Sequence, residues 1–148
     1  MKKVTLAVVL LLFWGAVLAQ DTKQHLDNYI HIKTSLVNSD AKAAASAISI
    51  FYDAVKKDGS FAQKTKLLKA AEKLNKAGSS IEKQRAAFDD VSGVMWELVK
   101  GSDEVTQPVY YQYCPMKKSY WLSKEKDIKN PYYGSSMLTC GKVAETKK

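Results

Sequence analysis

The chain has 148 residues, with 23 Lys and Arg against 15 Asp and Glu and a formal net charge of +8. With 46% apolar and 26% charged residues, it has the composition of an ordinary globular protein with material for one core. The basic bias comes with no nucleic-acid-binding motif, and the length fits a single domain.

Residues 1–19 read as a signal peptide. Lys2 and Lys3 form a basic start, Val4 to Leu18 is an almost unbroken apolar run, and Val17-Leu18-Ala19 ahead of Gln20 has the form of a cleavage site. The run is shorter than the roughly 20 residues that a membrane-spanning helix needs. The expected destination is the periplasm or the exterior, with no stable membrane insertion after cleavage. From Gln20 onward 21 basic residues face 15 acidic ones, a net charge of +6. Nucleic acid is excluded as the partner of an exported chain, and the lysines read as a solvated surface.

Residues 22–100 have a helical period in four segments. Thr22 to Val37 places Leu26, Tyr29, Ile30, Leu36 and Val37 on one face, with Asp21 or Thr22 as cap. Asp40 to Lys57 is alanine-rich and carries Ile48, Phe51 and Val55, with Asn38-Ser39-Asp40 supplying its cap. Phe61 to Lys76 sets Leu67, Leu68, Ala71 and Leu74 on one side. Ile81 to Lys100 repeats Ile81, Phe88, Val91, Met95 and Leu98 at near-heptad spacing. Ser79 or Ser80 caps this last segment, and Glu82 completes capping-box spacing from Ser79. Gly93 interrupts it, at a position where the C-terminal segment would pack closely.

After Pro108 the texture changes. Val109-Tyr110-Tyr111-Gln112-Tyr113 favours a strand, and six of the eight tyrosines fall between Tyr110 and Tyr133. The sequence therefore predicts an all-α fold. Residues 20–101 form an antiparallel four-helix up-and-down bundle. Residues 102–148 form an irregular Cys/Met/Tyr-rich segment packed on it, with two short strands.

The residues with chemistry are Cys114 and Met116, then Met137 and Cys140, which include the only two cysteines. Thiolate and thioether sulfur select Cu(I) and Ag(I) over harder cations. Trp121 would cover such an ion, with Tyr113 beside it. The alternative is a Cys114–Cys140 disulfide in an oxidising compartment, stabilising the fold by roughly 3–4 kcal/mol. Both readings stay open on the residues alone. His25 and His31 lie six apart, share no helix face, and read as surface or boundary residues. Asp89 and Asp90 read as a solvated face. No Cys-x-x-Cys is present and no oxyanion hole is implied, so no enzyme activity is expected.

Four runs together resemble a known pattern: Tyr113-Cys114-Pro115-Met116, Trp121-Leu122-Ser123, Ile128 to Gly134, and Met137-Leu138-x-Cys140-Gly141. With Arg85-x-x-Phe88-x-x-x-Ser92 upstream, they resemble an uncharacterised family of bacterial exported helical domains. Members occur alone or fused to periplasmic adaptor subunits of copper/silver-type heavy-metal efflux pumps. The resemblance implies heavy-metal binding by Cys114, Met116, Met137 and Cys140, and an efflux adaptor as partner. Cys114-Pro115-Met116 also resembles a metal-binding module of those adaptors that reads Tyr-x-Cys-Pro-Met-His. Here Gln112 stands in the Tyr position and Lys117 in the His position. The expectation is a metal-sequestering or metal-delivering protein; the alternative is a non-metal envelope interaction module stapled by the disulfide.

Overall fold

The protein is described by a computed structural model covering residues 21–148. The expected signal peptide, 1–19, lies outside the described residues. Four helices come first: α1 Thr22–Val37, α2 Ala41–Lys57, α3 Lys64–Asn75 and α4 Ile81–Lys100. Three strands follow: β1 Val109–Cys114, β2 Ser119–Ser123 and β3 Lys142–Lys147, with a 3-10 turn at Gly134–Met137 before β3.

The helix starts follow local chemistry. The Asp21 carboxylate accepts the Gln24 N–H at 2.8 Å, and Asp40 accepts the Ala43 N–H at 2.8 Å. Each satisfies one of the orphan donors at a helix N-terminus. Ser80, not Ser79, caps α4 by accepting from the Lys83 N–H at 3.4 Å. The capping box expected from Ser79 and Glu82 therefore does not form, because the third helical residue is Lys83.

Successive helices pack on one another, and α4 also closes against α1. Leu26, Tyr29, Ile32 and Leu36 of α1 meet Ile48, Phe51 and Val55 of α2, Leu67, Ala71 and Leu74 of α3, and Phe88, Val91 and Met95 of α4 in one core. Burying each large side chain of this set contributes about 1.5–3 kcal/mol.

The all-α expectation is overturned. The C-terminal third is a three-stranded antiparallel sheet in the order β2-β1-β3, so the fold is mixed α and β. In the β1–β2 hairpin Tyr111 pairs with Leu122, Gln112 with Trp121 and Cys114 with Ser119. β3 pairs with the other side of β1, with a register irregularity at Tyr111/Gln112. The reason β3 escapes notice is physical. Lys-Val-Ala-Glu-Thr-Lys has no apolar alternation and is mostly exposed. Its strand state comes from pairing to β1 and not from its own composition.

Side chains of the bundle hold the sheet. The outer edge of β2 does not face water. The Tyr120 N–H donates to Asp89 Oδ1 of α4 at 2.6 Å, and the Leu122 N–H donates to Tyr29 Oη of α1 at 3.1 Å. Two helix side chains thus take the place of a fourth strand along that edge. Above them runs a column of aromatic rings. Trp96 of α4 stacks on Tyr111 at 4.8 Å, Tyr111 on Tyr120 at 4.6 Å, and Tyr120 meets Tyr113 at 4.6 Å. Asp89 is therefore half-buried and structural, not part of a solvated face, while Asp90 pairs with Lys73 at 2.6 Å on the surface.

Gly93 has a different role from the one expected. A Cβ built there meets nothing within 4 Å, so no segment packs closely against it. The close approaches are made by Gly134 and Gly141 in the C-terminal segment.

Candidate functional site

The β1–β2 hairpin and the return to β3 bring the two cysteines together. Cys114 is the last residue of β1 and is fully buried. Cys140 is half-buried and precedes β3. Both are free thiols. Burial, then the charge and hydrogen bond of the neighbouring Cys114, push the Cys140 thiol above its ordinary value. The β1–β3 register sets Lys142 opposite Tyr113, which puts Cys114 and Cys140 at the same end of that strand pair, and metal binding would have to displace their protons.

The backbone at Cys140 is fixed from below by Asn130, which is fully buried. Its Nδ2 donates to the Cys140 carbonyl at 2.7 Å, and its Oδ1 accepts the Tyr132 N–H at 2.8 Å. Its own N–H donates to the Leu138 carbonyl at 2.8 Å, and its carbonyl accepts the Gly134 N–H at 2.9 Å. One side chain and its backbone therefore bind four points of the 130–140 loop. Gln112 acts in the same way from the centre of β1. Its Nε2 lies 3.1 Å from the Glu125 carbonyl and 3.0 Å from that of Lys126.

Gly141 sets how near the loop comes to the sheet. A Cβ there would lie 2.8 Å from the Trp121 ring, 3.0 Å from the Tyr113 carbonyl and 3.2 Å from Ile128. Only glycine leaves that space. Gly134, at φ +59°, sits against the α1–α2 turn, with Ser39 Oγ 2.6 Å and the Val37 carbonyl 2.8 Å from a built Cβ. Its left-handed backbone is another reason for glycine. Arg85 of α4 completes the anchor. It donates to the Pro131 carbonyl at 2.8 Å, to the Leu36 carbonyl at 2.9 Å and to Ser39 Oγ at 3.0 Å.

The other sulfur and aromatic residues are placed less uniformly. Met116 lies on the β1–β2 turn and is 64% exposed. Met137 ends the 3-10 turn, is half-buried, and its carbonyl accepts the Cys140 N–H at 3.1 Å. Trp121 is fully buried and meets Tyr132 edge-on at 6.1 Å. By strand alternation and register it shares the Cys114 face of the sheet, whereas Tyr113 belongs to the opposite face with Tyr111 and Tyr120. Lys117, in the position of the module's His, holds its ammonium 5.1 Å over the Tyr133 ring. Among the described residues, no group of three or more His, Cys, Asp and Glu side chains converges to hold a metal.

The two histidines separate in character. His31 is exposed, as expected. His25 is not a surface residue: it is 2% exposed, and its Nε2 lies 2.8 Å from Asp58 Oδ2. That contact ties α1 to the α2–α3 connection. The signal in the sequence was position, since His25 precedes Leu26 and lies one turn from Tyr29 on the inner face.

Residues 26–107 match a family described as "Protein of unknown function (DUF3347)". The chain belongs to this family. The DUF3347 match spans all of α2, α3 and α4 and ends just before β1, so none of the four sulfur-bearing candidates falls inside it. Arg85, Phe88 and Ser92 do fall inside it. Phe88 stacks on Tyr29 at 4.9 Å, and Ser92 Oγ lies 2.7 Å from Tyr29 Oη. With Arg85 on the 131 loop, this motif of the DUF3347 region is the platform on which the sheet docks. No curated protein and no solved structure matches the chain. No helix among the described residues is long and apolar enough to cross a membrane.

Proposed function

We propose that this protein binds a soft metal ion, Cu(I) or Ag(I), in the periplasm or outside the cell, and acts by binding and not by catalysis. It sequesters the ion or passes it to a heavy-metal efflux adaptor. The observation that carries this reading is the return of Cys140, on a loop held by Asn130, to the end of β1 where Cys114 lies. Two thiolates are the donor set that a soft monovalent ion prefers. Met116, exposed on the turn after Cys114, offers a thioether to an arriving ion, and Met137 offers a second from the loop. Trp121 forms an apolar wall on the Cys114 face. The exported setting rests on the signal-peptide reading of residues 1–19, and the efflux partner on the resemblance of the 113–143 region to efflux-associated domains.

The test is a titration of the reduced protein with Cu(I) against a competing chelator, repeated on Cys114→Ser/Cys140→Ser. The wild type is expected to hold the ion at least tenfold more tightly than the double variant. Equal affinities contradict the proposal.

The same placement favours a second reading, in which the two cysteines form a disulfide that staples an interaction module of the envelope. Alkylation of protein isolated from its compartment without reductant, then unfolded in the presence of a Cu(I) chelator, separates the two. Two modified thiols support the metal reading, and none supports the staple.

A further inference from the structure

Away from the thiols, and among the described residues, the bundle buries one cation that has no carboxylate of its own. Lys33 of α1 is 6% exposed. Its Nζ reaches one polar partner among the described residues, Ser123 Oγ, at 3.5 Å. The one acid that acts on it, Glu125, is engaged elsewhere, pairing with Lys129 at 2.8 Å. Burial lowers the Lys33 pKa; Glu125 opposes this and Lys129 adds to it. A buried ammonium whose one acting carboxylate is already paired with another lysine is costly unless something supplies a further counter-charge.

Lys33 and Ser123 both line a cavity of about 400 Å³ between α1 and the chain that follows β2. That volume is in the range of small-molecule sites. Ile30, Val37 and Leu138 give it hydrocarbon walls, and Lys124, Glu125 and Lys129, each ion-paired, complete its charged lining. Ser123 Oγ already accepts from the Glu125 N–H at 3.1 Å and from Lys33. A hydroxyl has two acceptor lone pairs and one proton, so here the proton is what remains to be used. One wall therefore presents a cationic donor and a neutral O–H donor.

We propose that this cavity binds a small monocarboxylate with a hydrocarbon body. One carboxylate oxygen takes the Lys33 ammonium and the other the Ser123 hydroxyl, while the body lies along Ile30, Val37 and Leu138. An inorganic phosphate would bring more charge than one free ammonium balances, since Lys124 and Lys129 in the lining already pair with Asp27 and Glu125. An organic ammonium would meet Lys33 directly. The site shares no residue with the thiol pair and does not depend on metal binding.

Calorimetric titration with hexanoate tests this, with hexylammonium and inorganic phosphate as comparison probes. Saturable one-to-one binding of hexanoate is expected, at least tenfold weaker in Lys33→Met and several-fold weaker in Ser123→Ala, with neither comparison probe binding comparably. Methyl NMR of the wild type supplies a readout that does not depend on the variants folding. Hexanoate should shift the Ile30, Val37 and Leu138 methyls first. No saturable hexanoate binding, equal binding by Lys33→Met, equal binding of phosphate or hexylammonium, or shifts confined to other residues would each overturn the proposal.

Discussion

At the scale of single residues, three glycines of the chain do opposite things. Gly93 is in mid-helix with open space where a Cβ would go. Gly93→Ala should therefore raise stability by about 0.5–1 kcal/mol, the helix-propensity difference. Gly134 has a left-handed backbone and Ser39 Oγ within 2.6 Å of a built Cβ. Gly134→Ala should cost more than about 1 kcal/mol from the backbone alone. Denaturant melts of the two variants should move in opposite directions, and a shift in the same direction contradicts the assignment. Glycine positions are plain in the sequence, but their neighbours are not. Gly93 looked like a packing site because helix interiors disfavour glycine without a reason, and nothing in the residues beside Gly134 and Gly141 announces their contacts. Which of them touches something depends on where the C-terminal segment lands.

Asp89 gives a prediction with a definite sign. Burial raises its carboxyl above the ordinary 3.8, with the Tyr120 N–H bond opposing and Asp90 adding. A raised folded value means that the folded state holds the proton more tightly. The contribution is fully present below the unfolded value and is lost as pH rises through the folded one. Asn keeps an oxygen for the Tyr120 N–H and does not ionise. Asp89→Asn should thus gain stability relative to wild type as pH rises from below 3.8 towards neutrality. An advantage that shrinks over that interval contradicts the account.

At the scale of elements, the joint between helices and sheet is Tyr29. Its hydroxyl meets Ser92 Oγ at 2.7 Å and the Leu122 N–H at 3.1 Å, and its ring stacks on Phe88. Burial raises its pKa well above the ordinary tyrosine value, so it works as a neutral hydrogen-bonding group. Tyr29→Phe keeps the stack and strands the Leu122 N–H, so it should cost about 1–3 kcal/mol in a denaturant melt. A loss below about 0.5 kcal/mol, typical of an ordinary surface change, contradicts the role. The helices were legible because their apolar residues recur with the helical period and their caps are Asp and Ser. β1 was legible from Val109 to Tyr113. β3 was not, because Lys142 to Lys147 becomes a strand only when β1 is beside it. The inner position of Tyr29 was readable, but its bond to a strand more than ninety residues away was not.

At the scale of the whole molecule, the DUF3347 helices form a platform and the C-terminal sheet is the part laid on it. Tyr29 and Asp89 hold that sheet through the backbone of β2, and Arg85 holds the following loop at Pro131. Asn130 and Gly141 then set the return of the chain to Cys114. The sequence paired the two cysteines by their rarity and their setting, and the β1–β3 register returns the chain from Cys140 to the Cys114 end of β1. It grouped Met116 with them by spacing alone, and the turn leaves Met116 exposed. X-ray absorption at the metal edge of the Cu(I)-loaded protein tests the central claim most directly. The account predicts a first shell dominated by sulfur at about 2.3 Å, as for metal–thiolate bonds generally, and its loss in Cys114→Ser/Cys140→Ser. A shell of nitrogen or oxygen donors, or a spectrum unchanged in the double variant, would contradict it.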